Sequence, residues 1–180
     1  LINEKNESNK IRDLNILPNR KGYQIVWAVP KNSLLSIIIP TRNNYRLLHS
    51  CINSIYKYSP NIEFEIIIID NNSDEDSTKQ YFKSLKNIDC IRILDMPGKF
   101  NYSKINNNAS KFANGNVILF LNNDIQFLKS NVGQLLVSNA LREGIGCVGA
   151  KLIYEDRTIQ HSGVILGIGG AAGHCHKNFN

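Results

Sequence analysis

The chain has 180 residues, 42% of them hydrophobic and 20% charged, with a formal net charge of +6. That is enough apolar material for one domain with a buried core plus an arm. No apolar run approaches the roughly 20 residues of a membrane-spanning helix, residues 1–20 carry no apolar signal segment, and Cys51, Cys90, Cys147 and Cys175 are too scattered for a disulfide scaffold.

Residues 1–33 lack sustained periodicity, and only Tyr23–Trp27 alternates before Pro30. This stretch reads as a leader or linker from a longer polypeptide, with the main domain at 34–180. Leu35–Ile39, stopped by Pro40, is predicted to be a buried strand. Leu47, Leu48, Cys51, Ile52, Ile55 and Tyr56 then recur at helical spacing up to Ser59-Pro60. Phe64–Ile69 predicts a second strand, Tyr81, Phe82 and Leu85 a second helix, and Cys90–Leu94 a third strand. Ile105, Ala109, Phe112 and Ala113 predict a helix stopped by Asn114-Gly115. Val117–Leu121 follows as a strand, Leu128–Leu141 as a helix and Gly146–Leu152 as a fifth strand. Ile159–Leu166 reads as extended, ahead of a glycine-rich tail.

Strands alternating with helices predict an α/β fold with a mostly parallel, Rossmann-like sheet covered by helices on both faces. Ligands of such sheets sit beyond the carboxyl ends of the strands, where strand order reverses. Pro40–Asn44, Asp70–Ser73 and Asn122–Asp124 therefore fall on one rim.

The loop Pro40-Thr41-Arg42-Asn43-Asn44 has no glycine, so neither a dinucleotide fingerprint nor a Walker loop fits. Gly167–Gly173 loosely matches Gly-x-Gly-x-x-Ala but leaves no room for a crossover helix. Asp70 suits either a helix cap or a hydrogen-bond acceptor for a base or ribose. Asp124, beside two amides, suits either a turn or a hard cation, Mg²⁺ or Mn²⁺, that completes its shell with phosphates and water. His161, between Gln160 and Ser162, suits polar active-site work, whereas His174-Cys175-His176 lacks the spacing of a structural zinc site. No Gly-x-Ser-x-Gly nucleophile elbow exists. The 21 lysines and arginines form no run longer than Arg20-Lys21, so no nucleic-acid partner is expected.

Leu35–Asn43, Glu65–Ser73, Phe100–Ala109 and Leu119–Asp124 occur in an order that resembles the family 2 glycosyltransferases of the GT-A fold. Val148–Leu152 and Thr158–Val164 resemble the rhamnosyltransferase-like subgroup that makes bacterial surface polysaccharides. The resemblance implies an inverting, metal-assisted transferase of hexosyltransferase type. Its donor would be a nucleotide-diphosphate sugar, UDP- or dTDP-linked, and its acceptor a glycan or a lipid-linked glycan. It implies Pro40, Thr41 and Asn43 in the nucleotide-contacting loop, Asp70 on a pyrimidine base, Asn72 close to the ribose and Asn107 beside the nucleotide. Asn122 and Asn123 would also contact the nucleotide, and Asp124 would touch Mn²⁺ or Mg²⁺. The motif departs from the family at Asn122, where the first aspartate is expected. The general base of such enzymes is expected beyond Asn180, so the catalytic residue stays unassigned, and residues 1–180 are expected to bind a donor without transferring sugar. Glu155 and Asp156 do not match it. A cytoplasmic location is expected, at the inner face of the membrane through peripheral association. Two rivals remain at this stage: a nucleotidyltransferase, which would need a Gly-rich basic loop after the first strand, and a non-catalytic nucleotide-sugar-binding module.

Overall fold

The computed structural model describes residues 10–16, 22–167, 170 and 172–179. They fall into two compact units, Leu1–Glu143 and Gly144–Asn180.

The first unit runs β1 (Ile11–Ile16), β2 (Tyr23–Trp27), β3 (Leu34–Thr41), α1 (Tyr45–Tyr58), β4 (Glu63–Asp70), α2 (Asp76–Leu85), β5 (Ile91–Asp95), α3 (Tyr102–Ala109), β6 (Val117–Phe120) and α4 (Val132–Ala140). Four strands form a sheet in the order β5-β4-β3-β6, and all three pairings are parallel. Strand order reverses at β3, which puts the switch point at the carboxyl ends of β3 and β6. Successive residues of a strand point to opposite faces, so the isoleucine runs supply both. Ile37, Ile39, Ile66 and Ile68 pack with Leu48, Cys51 and Ile55 of α1, Phe82 and Leu85 of α2, and Val137 of α4. Ile38, Ile67 and Ile69 meet Ile105 and Ala109 of α3 on the other face. The expected parallel sheet with helices on both faces is present, three helices on one side and one on the other.

A buried carboxylate ties the amino ends of these strands together. Glu65 accepts hydrogen bonds from Ser36 Oγ at 2.6 Å, the Asn114 backbone N–H at 2.6 Å and the Asn114 carboxamide at 3.0 Å, and pairs with Arg92 at 2.7 Å. Burial pushes its pKa up, but these hydrogen bonds and the Arg92 charge outweigh it and hold the carboxyl below its usual range. Gly115 donates to Ser36 Oγ, and a Cβ there would stand 2.4 Å from the Leu34 carbonyl oxygen, which explains the glycine.

Several boundaries differ from the sequence pattern. The helix expected from Leu128 begins at Val132, because Asn131 turns the chain through left-handed backbone (φ 66). The helix expected through Ala113 ends as an α-helix at Ala109 and tightens into a 3₁₀ turn at Ser110–Phe112. Residues 1–33 contain a strand that their polar composition concealed: β1 pairs antiparallel with β2, placing Leu14 opposite Ile25 and Ile16 opposite Tyr23, all four exposed. The alternate positions Asp13, Asn15, Gln24 and Val26 line a small pocket against Asn131 and Gln134. The Arg142 guanidinium lies 4.1 Å over the Trp27 ring.

In the second unit the expected strand Gly146–Leu152 is a correction. Residues 145–151 have no regular structure, and only Leu152–Ile153 (β7) pairs, antiparallel, with Ile159–His161 (β8). Gly146 and Gly149 bring no side chains to pack, and Ile159 is the one buried hydrophobic residue of this unit among the described residues. The expected extended run Ile159–Leu166 breaks at Gly163 (φ 128). Its second part, Val164–Leu166 (β9), pairs antiparallel with Ala172–His174 (β10). Part of the Gly167–Gly173 cluster lies outside the described residues. Among the described residues, no helix is long and apolar enough to cross a membrane.

Candidate functional site

A cleft of about 490 Å³ opens at the switch point, lined by Pro40, Thr41, Arg42, Asn71, Phe100, Tyr102, Asn122, Asn123 and Asp124. It gathers the loops that follow β3, β4 and β6 with the segment entering α3.

The loop after β3 is held by its asparagines. Asn43 and Asn44 adopt left-handed backbone (φ 58 and 54). The Asn43 carboxamide donates to Asp74 at 2.6 Å and accepts from the N–H groups of Asp74 and Glu75, while its own N–H donates to Ser73 Oγ. Pro40 and Thr41 thus line the cleft, whereas the Asn43 side chain is spent on joining this loop to the one after β4. The hydrogen bond from Asn43 and the Asp74 N–H keep the Asp74 carboxyl below its usual pKa.

At the end of β4, Asp70 accepts the Ser73 N–H at 2.9 Å and is not among the residues lining the cleft. Asn71 is. Only 4% exposed, it donates through Nδ2 to the carbonyls of Met96 at 2.8 Å and Gly98 at 3.2 Å. Those bonds fix the carboxamide and leave Oδ1 as its acceptor end. Asn72, also left-handed (φ 63), donates to Gly98 O at 3.0 Å and does not line the cleft. Both amides therefore pin the segment that leads to Phe100 and Tyr102. Asn101 then caps α3 by accepting the Lys104 N–H. Asn107 is exposed on α3 and is not among the lining residues, and its carbonyl accepts from Ser110 Oγ.

After β6, Asn122, Asn123 and Asp124 all reach the cleft. Asn123 donates to Thr41 Oγ1 at 2.9 Å, and the Asn122 carbonyl accepts from Cys51 Sγ at 3.8 Å. Burial, and then the Asp124 charge, push the Cys51 thiol up to about 12, so it is a neutral donor and not a nucleophile. No group of three or more His, Cys, Asp or Glu side chains is assembled among the described residues. One exposed carboxylate with neighbouring amide oxygens fits a hard cation that takes its other ligands from phosphate and water, not an all-protein site.

Arg42, Asn71, Phe100 and Tyr102 also line the cleft; sequence reasoning placed Arg42 and Asn71 in rim loops and the two aromatics in a family-like segment but gave none of the four a role. A readable signal existed for the aromatics: they flank Asn101, a good N-cap before an apolar-periodic stretch, which places both at a helix start on the ligand rim. In the second unit, His161 Nδ1 lies 2.9 Å from His174 Nδ1. Asp156 accepts both the N–H and the hydroxyl of Thr158, which hold its carboxyl below the usual range as a turn residue.

A family model described as Glycosyl transferase family 2 matches residues 36–161. The chain is 39% identical over 156 residues to the uncharacterized protein y4gI of Sinorhizobium fredii, covering 86% of this chain and 17% of that protein. It is 35% identical over 153 residues to the O-antigen biosynthesis protein RfbC of Myxococcus xanthus, covering 84% of this chain and 12% of that one. It thus spans under a fifth of the length of either relative. Among solved structures, a mannosyltransferase from Pyrobaculum calidifontis, in complex with GDP-Man and Mn²⁺, superposes with a TM-score of 0.55 at 18% identity, over 64% of this chain and 35% of that one.

Proposed function

The chain belongs to the family 2 glycosyltransferases and has the GT-A fold, and on that premise we propose that its cleft holds the nucleotide-diphosphate end of a sugar donor, UDP- or dTDP-linked. The observation that carries this reading is the meeting of Thr41, Arg42, Asn71 and Asp124 in one cleft at the switch point. Arg42 is the only cation among the lining residues, and its planar guanidinium suits a diphosphate. The fixed Asn71 Oδ1 suits a ring N–H such as the uracil or thymine imide, and the exposed faces of Phe100 and Tyr102 suit stacking on a base or sugar. Asp70 acts at one remove, by shaping the turn at Ser73. Asp124 would hold Mn²⁺ or Mg²⁺ jointly with the diphosphate oxygens. That ion, when bound, supplies charge stabilisation for a departing diphosphate. The Asn122 and Asn123 amides leave Asp124 as the sole negative side chain facing the donor.

In the whole protein the reaction would be inverting transfer of a hexosyl group to a hydroxyl of a glycan or lipid-linked acceptor, with a carboxylate as general base. The RfbC relative supports a role in surface polysaccharide synthesis, and a cytoplasmic location at the membrane is our expectation for it. Asp124 is the only carboxylate among the lining residues, and it is committed to the donor side. We therefore expect residues 1–180 to bind donor without transfer, the behaviour of a nucleotide-sugar-binding module. Calorimetry with UDP, dTDP and GDP, each with and without Mn²⁺, tests the binding reading. Absence of binding to all three would sink it. Robust transfer from a labelled nucleotide sugar by the 180-residue chain would overturn the binding-only reading.

A further inference from the structure

Asp124 belongs to a short loop plugged at both ends by buried apolar side chains, Leu121 and Phe127. The Leu121 N–H donates to Ile38 O at 3.0 Å, and Asn123 donates to Thr41 at 2.9 Å. The far end is held from a different direction: the Phe127 N–H donates to Ser54 Oγ at 3.0 Å. Ser54 is buried in α1 and does not line the cleft. Its hydroxyl is used twice, because it also donates to the Cys51 carbonyl at 2.7 Å. With its proton committed along the helix, its lone pairs are set in direction and available to Phe127. Cys51, one turn earlier, reaches the Asn122 carbonyl. The helix α1 starts directly after the Pro40–Asn44 loop, so a single rigid element anchors one wall of the cleft at its beginning and both ends of the Asp124 loop at its middle.

We propose that Ser54 is a positioning residue for Asp124. By accepting the Phe127 N–H it fixes where the loop re-enters the core, and so where the Asp124 carboxylate stands relative to Thr41 and Arg42. The inference rests on the reading of Asp124 as the cation-holding residue. Groups that orient a metal-holding side chain typically change metal affinity by about 10–100-fold when lost, and a lost hydrogen bond at a distance from the ligand leaves metal-free binding alone.

The test is UDP binding to the 180-residue chain by calorimetry, with and without Mn²⁺, alongside the melting temperature. Wild type is expected to bind UDP more tightly with Mn²⁺. Ser54→Ala is expected to lose about tenfold of that Mn²⁺-dependent gain while its metal-free UDP affinity stays within about twofold of wild type. Ser54→Cys keeps a donor toward Cys51 O but gives Phe127 a poor acceptor, so it serves if the alanine variant does not fold, and the same loss is expected. A full Mn²⁺-dependent gain in the Ser54 variants, even with a lowered melting temperature, would make Ser54 a packing residue and overturn the inference. A wild-type chain indifferent to Mn²⁺ would instead overturn the reading of Asp124, and this inference with it.

Discussion

Thr41 and Asn123, 82 positions apart in the chain, are joined across the cleft by a 2.9 Å hydrogen bond from the asparagine carboxamide to the threonine hydroxyl. The β3–β6 pairing ends at Ile38 opposite Phe120, so this bond extends the lock between β3 and the chain leaving β6 beyond their ladder. Thr41→Val keeps the shape and removes the acceptor. Because Thr41 itself lines the cleft, the change is expected to weaken UDP binding by about 3–10-fold, as measured by calorimetry.

Asp124→Asn addresses the cation. By linkage, Mn²⁺ and UDP must raise each other's affinity by one common factor. The asparagine variant is expected to bring that factor to about one in both titrations while leaving the melting temperature unchanged, since the side chain is exposed. A factor that survives the substitution would reassign Asp124 to the turn.

Asn71 and Asp70 are adjacent but should behave differently. Asn71→Ala removes the carboxamide oxygen offered to a ring imide together with the two bonds that pin Gly98 and Met96, and is expected to cost UDP about tenfold in affinity and CDP less, because cytosine has no ring imide N–H. Asp70→Ala removes only the acceptor for the Ser73 N–H, and is expected to weaken UDP and GDP alike. Four calorimetric titrations decide between the two.

Glu65 makes the stability depend on acid. Its folded pKa is depressed below the ordinary 4.5, so its contribution is fully present above that value. It is lost as pH falls from there through the folded pKa. Glu65→Gln is expected to destabilise the chain by about 1–3 kcal/mol at pH 7 and to flatten the loss of stability below pH 4.5. Urea unfolding at pH 7, 5, 4 and 3 reads both effects.

The core was readable because isoleucine runs bounded by Pro40 and Asp70 leave few alternatives to buried parallel strands. The rim was readable from where those strands end. Contacts made by orientation were not. Asp70 and Asn71 are neighbours with similar side chains, and strand alternation alone does not say which one a turn will consume. Asn43 reads as a ligand residue in a polar loop, yet its partners lie 31 and 32 positions away in Asp74 and Glu75. The strand at Ile11–Ile16 escaped for a related reason: a two-stranded ribbon with its apolar residues outward has no hydrophobic face turned to the core for periodicity to report.

The sharp turns around the cleft are made with asparagine, at positions 43, 44 and 72, where many phosphate loops use glycine. An unfolded asparagine samples fewer backbone states than an unfolded glycine, so less entropy is lost when the turn forms. The Asn43 and Asn72 side chains then bind neighbouring loops, which glycine could not do. The ordering of the rim is thereby completed during folding and not deferred to the arrival of a ligand. On the proposed reading, such a cleft would select a donor by fit to a preset shape, with little capacity to remould itself around a poor one.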